Sequence, residues 1–474
     1  MTSPEKRDPE EIAALLAPDI LELLSAAPTS VALETAELHP ADMASVAEAL
    51  PRGALPSFLA ALPAERAAEV LEYLDDELRS ELIEALSTEQ AATLVAQMTP
   101  DERADILDEV DAETADDILE AIPEAKRVET EKLLTYPSDS AGGLMTTEVV
   151  SVRETDTVEA ALSQVRAIAR GGRREAMHTV YAVNAHGELT GVLSLRELLA
   201  AAEGSRIQDI AWTKVQRVAT SADREEVARL TLEYDLVAVP VVDDKNRLLG
   251  LVTVDDVIDA IQEEQTEDVQ KLGGMEALDE PYMQIGIGGM LKKRAGWLSV
   301  LMVSEMFTTS ALQHFDSELA KLPVLTLFIP LVMSSGGNSG SQATSLITRA
   351  MALKEVHLRD WWRVALRELP SGMALGAILG VIGLGRVILW QHLGLYDYGR
   401  GGIPYLNVAA TVFFALIGIV TFGSLTGSML PFVLRRFGFD PASASAPFVA
   451  TLVDVSGLVI YFTVALLTLG HFMR

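Results

Sequence analysis

Cysteine is absent from the 474 residues. Disulfides, thiolate metal sites and cysteine nucleophiles are therefore excluded, while the compartment is left open. Histidine is scarce, seven in all and scattered, so the sequence offers no catalytic or metal-binding histidine cluster. No phosphate loop and no nucleophile–base pair is visible, and the chain does not read as an enzyme. The opening residues M-T-S-P-E-K-R-D-P-E contain no apolar run. No cleavable signal peptide is expected, and the N-terminal half should stay in the cytoplasm. Basic charge is the remaining shortage. Residues 1–275 carry 56 acids against 23 bases, net −33, whereas residues 276–474 carry 12 against 14, net +2. So acidic a surface repels phosphates, which argues against nucleic acid as a partner, and it attracts multivalent cations.

What is present divides into an acidic half and an apolar half, with room for about three domains. In the first, from Leu62 onward, an apolar residue recurs every 12 positions: Leu62, Leu74, Leu86, Met98, Val110, Ile122, Leu134. A second pair sits mid-unit, as in Val70-Leu71, Leu82-Ile83 and Ile106-Leu107. Ser87-Thr88-Glu89-Gln90 and Thr99-Pro100-Asp101-Glu102 read as helix starts with capping boxes. A fixed short period of helical units predicts a stacked superhelix over 1–137.

Beyond Pro137 the pattern changes to two copies of one βαβ-type unit, about 144–204 and 207–265 within 138–265. T-V-Y-A-V-N-A-H-G-E-L-T-G-V-L-S-L-R-E-L-L aligns with V-A-V-P-V-V-D-D-K-N-R-L-L-G-L-V-T-V-D-D-V-I, pairing Gly191 with Gly250, Ser194 with Thr253 and Glu197 with Asp256. The duplication resembles a tandem CBS pair, a regulatory α/β module that often binds nucleotides. The second copy runs into an acidic helix, 256–280. Asp256, Asp259, Glu263 and Glu267 share one face, and Glu264 with Asp268 forms a second i, i+4 pair. Like charges at that spacing destabilise a helix. The segment is either a solvated linker or a helix awaiting hard divalent cations, which take carboxylate oxygens.

Residues 281–474 hold five apolar segments, at about 296–315, 323–351, 370–391, 404–433 and 447–472. Ten Lys and Arg fall in loops on the N-terminal side against four on the other, which predicts an N-in, C-out, five-helix transmembrane domain. In the last segment Asp454 is the lone charge. A carboxylate there costs roughly 2.5–3.5 kcal/mol and usually marks an ion pathway; the alternative is a packing acid satisfied by a hydroxyl. The second segment carries Gly336, Gly337, Asn338, Gly340 and Gln342. These suit a hydrated ion, or close helix packing by small residues. Glu305, in the first segment, is expected either to face a polar interior or to pack near the outer half of the bundle, not to face lipid.

G-G-N-S-G-S-Q at 336–342, L-P-F-V-L-R-R at 430–436 followed by Asp440-Pro441, and A-T-L-V-D-V-S-G-L-V-I-Y at 450–461 together resemble the MgtE family of magnesium channels and transporters. The resemblance covers nearly the whole chain, including A-G-G-L-M-T at 141–146. It implies a homodimer in the inner membrane, with a Mg²⁺ pore lined by the second and fifth helices and an acidic plug helix. The pore acid then falls on Asp454, a carbonyl ligand on Ala450, and polar pore positions on Asn338 and its neighbours Gly337 and Gln342. Regulatory Mg²⁺ is implied at Asp101 and Asp105, at Asp223, Glu225 and Asp235, and at Asp256, Asp259, Glu264, Glu267 and Asp268. Three departures stand out. Glu305 sits where a small or neutral residue is expected. Ala446 replaces an amide found in relatives. Thr179 and Leu236 replace the aromatics that would stack an adenine, leaving Arg196 as the contact for ATP. The competing readings are a proton- or sodium-coupled divalent-metal carrier, whose inverted halves are not visible, and a membrane-anchored sensor, which would need no polar residues in the spans.

Overall fold

The computed structural model describes residues 9–170, 178–278, 282–283, 285–399 and 403–471. It falls into two compact units, Met1–Gln262 and Glu263–Arg474.

The first unit begins with helices Pro9–Ala26, Pro28–Glu34, Pro40–Ala49 and Leu55–Ala60. Six more follow, Ala64–Glu72, Asp76–Ala85, Thr88–Val95, Pro100–Glu109, Ala112–Ala121 and Glu124–Leu133, each starting 12 residues after the last. Helices of ten residues or fewer are marginal alone, so they must stack. The mid-helix pairs Val70-Leu71, Leu82-Ile83 and Ile106-Leu107 are buried in one continuous core, and the turn residues Leu74, Met98, Val110 and Ile122 join them. Leu134 leaves the series at 36% exposed, because no further superhelix unit follows to cover it. The capping box at Ser87 forms, with Gln90 as its return partner. The one expected at Thr99 does not. Pro100 presets the first helical φ and has no N–H to satisfy, and the Glu102 carboxylate lies 3.8 Å from Arg79 instead.

The two repeats fold into matching three-stranded sheets. The first has strands β1 (Ser151–Arg153), β2 (Thr179–Val183) and β3 (Leu189–Ser194); the second has β4 (Val218–Ala219), β5 (Ala238–Val242) and β6 (Leu248–Thr253). In each the outer pair is parallel and the hairpin antiparallel. Even the irregularities coincide: the register shifts at Ala182/Val183 and again at Val241/Val242. Gly250 is required by packing, since a Cβ there would sit 2.5 Å from the Thr146 carbonyl oxygen. The acidic connecting helix runs Val254–Leu272, and the boundary between the two units falls within it.

The second unit holds five long helices: Ile287–His314, Ile329–Ala352, Trp361–His392, Tyr405–Arg436 and Ala446–Leu469. The last three are long and apolar enough to cross a membrane. The first two, expected to match them, fall short in composition. Lys292, Lys293, Arg294 and Glu305 lie inside the first helix, and the second spends its length on Ser, Gly, Asn, Gln and Thr. Residues 323–328, expected to begin the second helix, form a 3₁₀ turn. The second and fourth helices touch through backbone: a Cβ on Gly423 would lie 2.4 Å from the Gly336 carbonyl oxygen, and one on Gly427 2.1 Å from that of Gly340.

Candidate ion pathway and cation-sensing acids

Ala446, Ala450 and Asp454 follow at steps of four and share one face of the fifth helix. A Cβ built on Gly337 would lie 3.3 Å from the Ala450 Cβ, so the second and fifth helices meet there. One turn below, the Ser341 hydroxyl donates to the Ala446 carbonyl at 3.2 Å. Asp454 is half-buried, and no hydrogen bond or ion pair holds its carboxylate among the described residues. The hydroxyl partner that would have made it a packing acid is therefore missing.

The second helix separates its small and polar residues by face. Gly336, Gly337 and Gly340 are buried, whereas Asn338 and Gln342 are exposed. The Asn338 Nδ2 reaches the Ser334 Oγ at 3.4 Å, so Ser334, Asn338 and Gln342 form a polar line at one-turn steps. Close packing thus accounts for Gly336 and Gly340, and leaves the amides unexplained by it. Such a line is costly against lipid and needs water or a second protein surface.

Among the acids of the first unit, a group gathers where helix Pro100–Glu109 approaches the start of the connecting helix. Asp101 is 6% exposed, and its Oδ1 has no hydrogen-bond partner among the described residues. Its pKa is raised by burial. Asp256 is pushed up to about 8, first by burial and then by Asp101. It spends Oδ2 on capping its own helix, accepting from the Thr253 N–H and hydroxyl at 3.2 and 2.5 Å. Burial and Asp101 raise Asp105 to about 7, although its side chain still reaches solvent, and Glu102 to about 9. Glu72 joins them at about 7. Sequence spacing gives no hint of Glu72 or Glu102, because the stacking of the superhelix brings them there. Unpartnered carboxylate oxygens in a desolvated cluster are the donor set a hard divalent cation takes. Among the described residues no three such side chains converge closely enough to hold an ion alone, so waters would complete the shell.

The other sensor candidates lie apart. Asp223 and Glu225 are at the start of helix Arg224–Tyr234, where Asp223 caps by accepting from the Glu225 N–H. Asp235 ends that helix in the left-handed conformation, φ 51°, about 16 Å away along eleven residues. Asp259 is exposed. Glu264, Glu267 and Asp268 lie beyond the unit boundary. There Lys271 bonds Asp440 at 2.7 Å and also pairs with Glu267. Burial raises the pKa of Asp268, aided by Asp440 and Glu264. Sequence reading noted Asp440 only as part of a motif and missed its pairing with Lys271, 169 residues away. In the CBS pair a cleft of about 290 Å³ is lined by His178, Thr179, Val237, Thr253, Asp255 and Ile258 among others. Arg196 is exposed and does not line it.

Comparison with known proteins identifies the architecture. A family described as MgtE divalent cation transporter matches residues 329–464, the MgtE intracellular N domain matches 38–139, and CBS domains match 141–204 and 207–263. The magnesium transporter MgtE of Thermus thermophilus is 44% identical over 343 residues, 72% of this chain and 73% of that protein. The chain belongs to the MgtE family. The magnesium transporter MgtE of Enterococcus faecalis is 32% identical over 73% of this chain and 72% of its own. A crystal structure of the soluble part of a magnesium transporter superposes with TM-score 0.50 at 30% identity, covering 54% of this chain and 99% of the other. The MgtE transporter match spans the second to fifth long helices and so contains Gly337, Asn338, Gln342, Ala450 and Asp454.

Proposed function

We propose that this MgtE-family membrane transporter is a Mg²⁺-selective channel of the inner membrane, with its pathway between the second and fifth helices. Asp454, Ala450, Gly337, Asn338 and Gln342 would line it. The observation that carries this reading is Asp454: an unpaired carboxylate one turn beyond Ala450, at the contact with Gly337. Mg²⁺ sheds water reluctantly, so a pathway for it should offer few direct ligands and many outer-sphere oxygens, which the Ser334–Asn338–Gln342 line supplies. One Asp per chain is a weak site; a two-fold axis would bring two together and would cover the exposed amide line. We therefore propose a homodimer, with the N-terminal domains cytoplasmic and the C-terminus outside.

Gating is assigned to cytosolic Mg²⁺. Asp101, Asp105, Asp223, Glu225, Asp235, Asp256, Asp259, Glu264, Glu267 and Asp268 are the proposed ligands. Bound ions would offset the repulsion among them and favour a compact, closed form. Moving such an equilibrium from 1:99 to 99:1 takes about 5.5 kcal/mol of differential binding, which several weak sites supply jointly. ATP would be a minor ligand, because among the described residues the CBS cleft offers Asp255, Thr253 and a single small ring, His178, with Thr179 in place of a larger aromatic to stack a base. The test is Mg²⁺ flux in proteoliposomes. Asp454→Asn, nearly isosteric, should fold and lose most flux; wild-type flux and selectivity from the folded variant would remove the pathway from this site.

A further inference from the structure

We infer that Glu305 is a second carboxylate of the conduction pathway, set beside Asp454 to concentrate divalent cations at that level. The inference rests on the pathway proposed above. Two aromatic contacts fix how the first helix runs along the fifth. Near one end Trp297 packs on Phe448 with ring centroids 6.2 Å apart, and its Nε1 donates to the Ser445 Oγ at 3.2 Å. Near the other, Phe315 stacks on Phe462 at 4.6 Å. Between these contacts the first helix advances 18 residues and the fifth 14, in the same direction. Glu305 stands eight residues into its span and Asp454 six into its own, the same fraction of the way, so the two lie at one level. Their carboxylates are within electrostatic reach of each other.

Glu305 also faces the right way. Leu301, Ser304, Glu305, Thr308 and Leu312 are buried or half-buried, whereas Val303, Met306 and Phe307 are exposed. The carboxylate belongs to the inward stripe, and no hydrogen bond or ion pair holds it among the described residues. Nor do the middle stretches of the five helices carry a countercharge for it: residues 297–313, 329–348, 368–385, 405–434 and 446–469 include no Lys, Arg or His, and the basic residues sit toward the helix ends. Two unpaired carboxyl groups at one level of the helices, with no countercharge along those stretches, call for a cation between or beside them. A hydrated Mg²⁺ needs no direct bond to Glu305; the second charge acts through the water shell and raises occupancy.

The experiment uses the full chain in proteoliposomes, with Mg²⁺ and Na⁺ as the permeating ions. Glu305→Gln should raise the half-saturating Mg²⁺ concentration roughly tenfold, lower the Mg²⁺/Na⁺ permeability ratio, and leave the maximal flux far less changed. Glu305→Asp should restore most of the affinity. Wild-type half-saturation and permeability ratio in Glu305→Gln would overturn the inference, as would equal losses in Gln and Asp variants, which mark a packing role. A measurement on the unaltered protein guards against misfolding: carbodiimide should label Glu305, and Mg²⁺ should slow the labelling; a rate indifferent to Mg²⁺ counts against it. Asp454→Asn run in parallel separates the two readings. If it abolishes flux while Glu305→Gln behaves as wild type, only this inference fails. If Asp454→Asn conducts normally, the pathway itself fails and this inference with it.

Discussion

Arg103 is 1% exposed in the superhelix. Its Nε donates to the Thr130 Oγ1 at 2.6 Å and its Nη2 to Glu129 at 2.9 Å. Burial lowers its pKa, and Glu129 works against that shift. A buried charge with partners from another helix orients that helix, and losing one partner strands the rest. Breaking a fully buried pair costs about 3–5 kcal/mol. Glu129 is 37% exposed on its side chain, so solvent recovers part of the loss. Arg103→Met should therefore destabilise the first unit by about 2 kcal/mol, read from urea unfolding, with the midpoint lowered. The neighbouring Asp101 carries the complementary situation: an oxygen without a hydrogen-bond partner among the described residues, held in a place where an ion has more to offer than a side chain.

At the scale of elements, the second and fourth helices depend on bare backbone. A Cβ on Gly427 would lie 2.1 Å from the Gly340 carbonyl oxygen, whereas one on Gly385 would meet nothing within 4 Å. Gly427→Ala should force the two helices apart and yield little folded protein in detergent. Gly385→Ala should run as a normal monodisperse peak on size exclusion, and equal behaviour of the two would contradict the packing. The connecting helix poses a separate problem, because its acids repel one another. Lys271 relieves this at one end by bridging Glu267 and Asp440. Burial works against its ammonium, but those two partners outweigh burial and hold its pKa above the usual lysine range. In Lys271→Met, protease should cut the segment after Leu272 faster without Mg²⁺, and Mg²⁺ should restore protection. Wild-type resistance without Mg²⁺ would show that the lysine does not hold this end.

For the molecule as a whole, charge is the controlling quantity. Glu72, Glu102, Asp105 and Asp256 have folded pKa values of about 7, 9, 7 and 8, above their values in an unfolded chain. The folded state therefore binds more protons than the unfolded state between roughly pH 4 and pH 9, and stability falls as pH rises through that window. Without divalent cations the unfolding temperature of the first unit should drop from pH 5 to pH 8. Millimolar Mg²⁺ should recover it, more at pH 8 than at pH 5, because the ion competes with protons for the same oxygens. A melting curve that improves toward pH 8 without Mg²⁺ would contradict the raised pKa values of these acids.

Three features were legible in the sequence because each is local or repetitive. The 12-residue period follows from a helix of ten residues or fewer plus its turn, so apolar spacing shows it directly. The duplicated hairpins share residue types because they share register, down to the same shift before β3 and β6. Asp454 stands out because one charge in an apolar run is rare. Tertiary structure alone decided the rest. It gave Gly336 and Gly340 to packing and left Asn338 and Gln342 outward, since a face of a helix has meaning only against its neighbours. It gathered Glu72 and Glu102 with Asp101 and Asp256, and set Lys271 on Asp440, because burial and electrostatic coupling depend on distance in space. Glu305 is a single unexpected acid in the sequence; its level beside Asp454 emerges only once Trp297 and Phe315 fix how the first helix lies along the fifth.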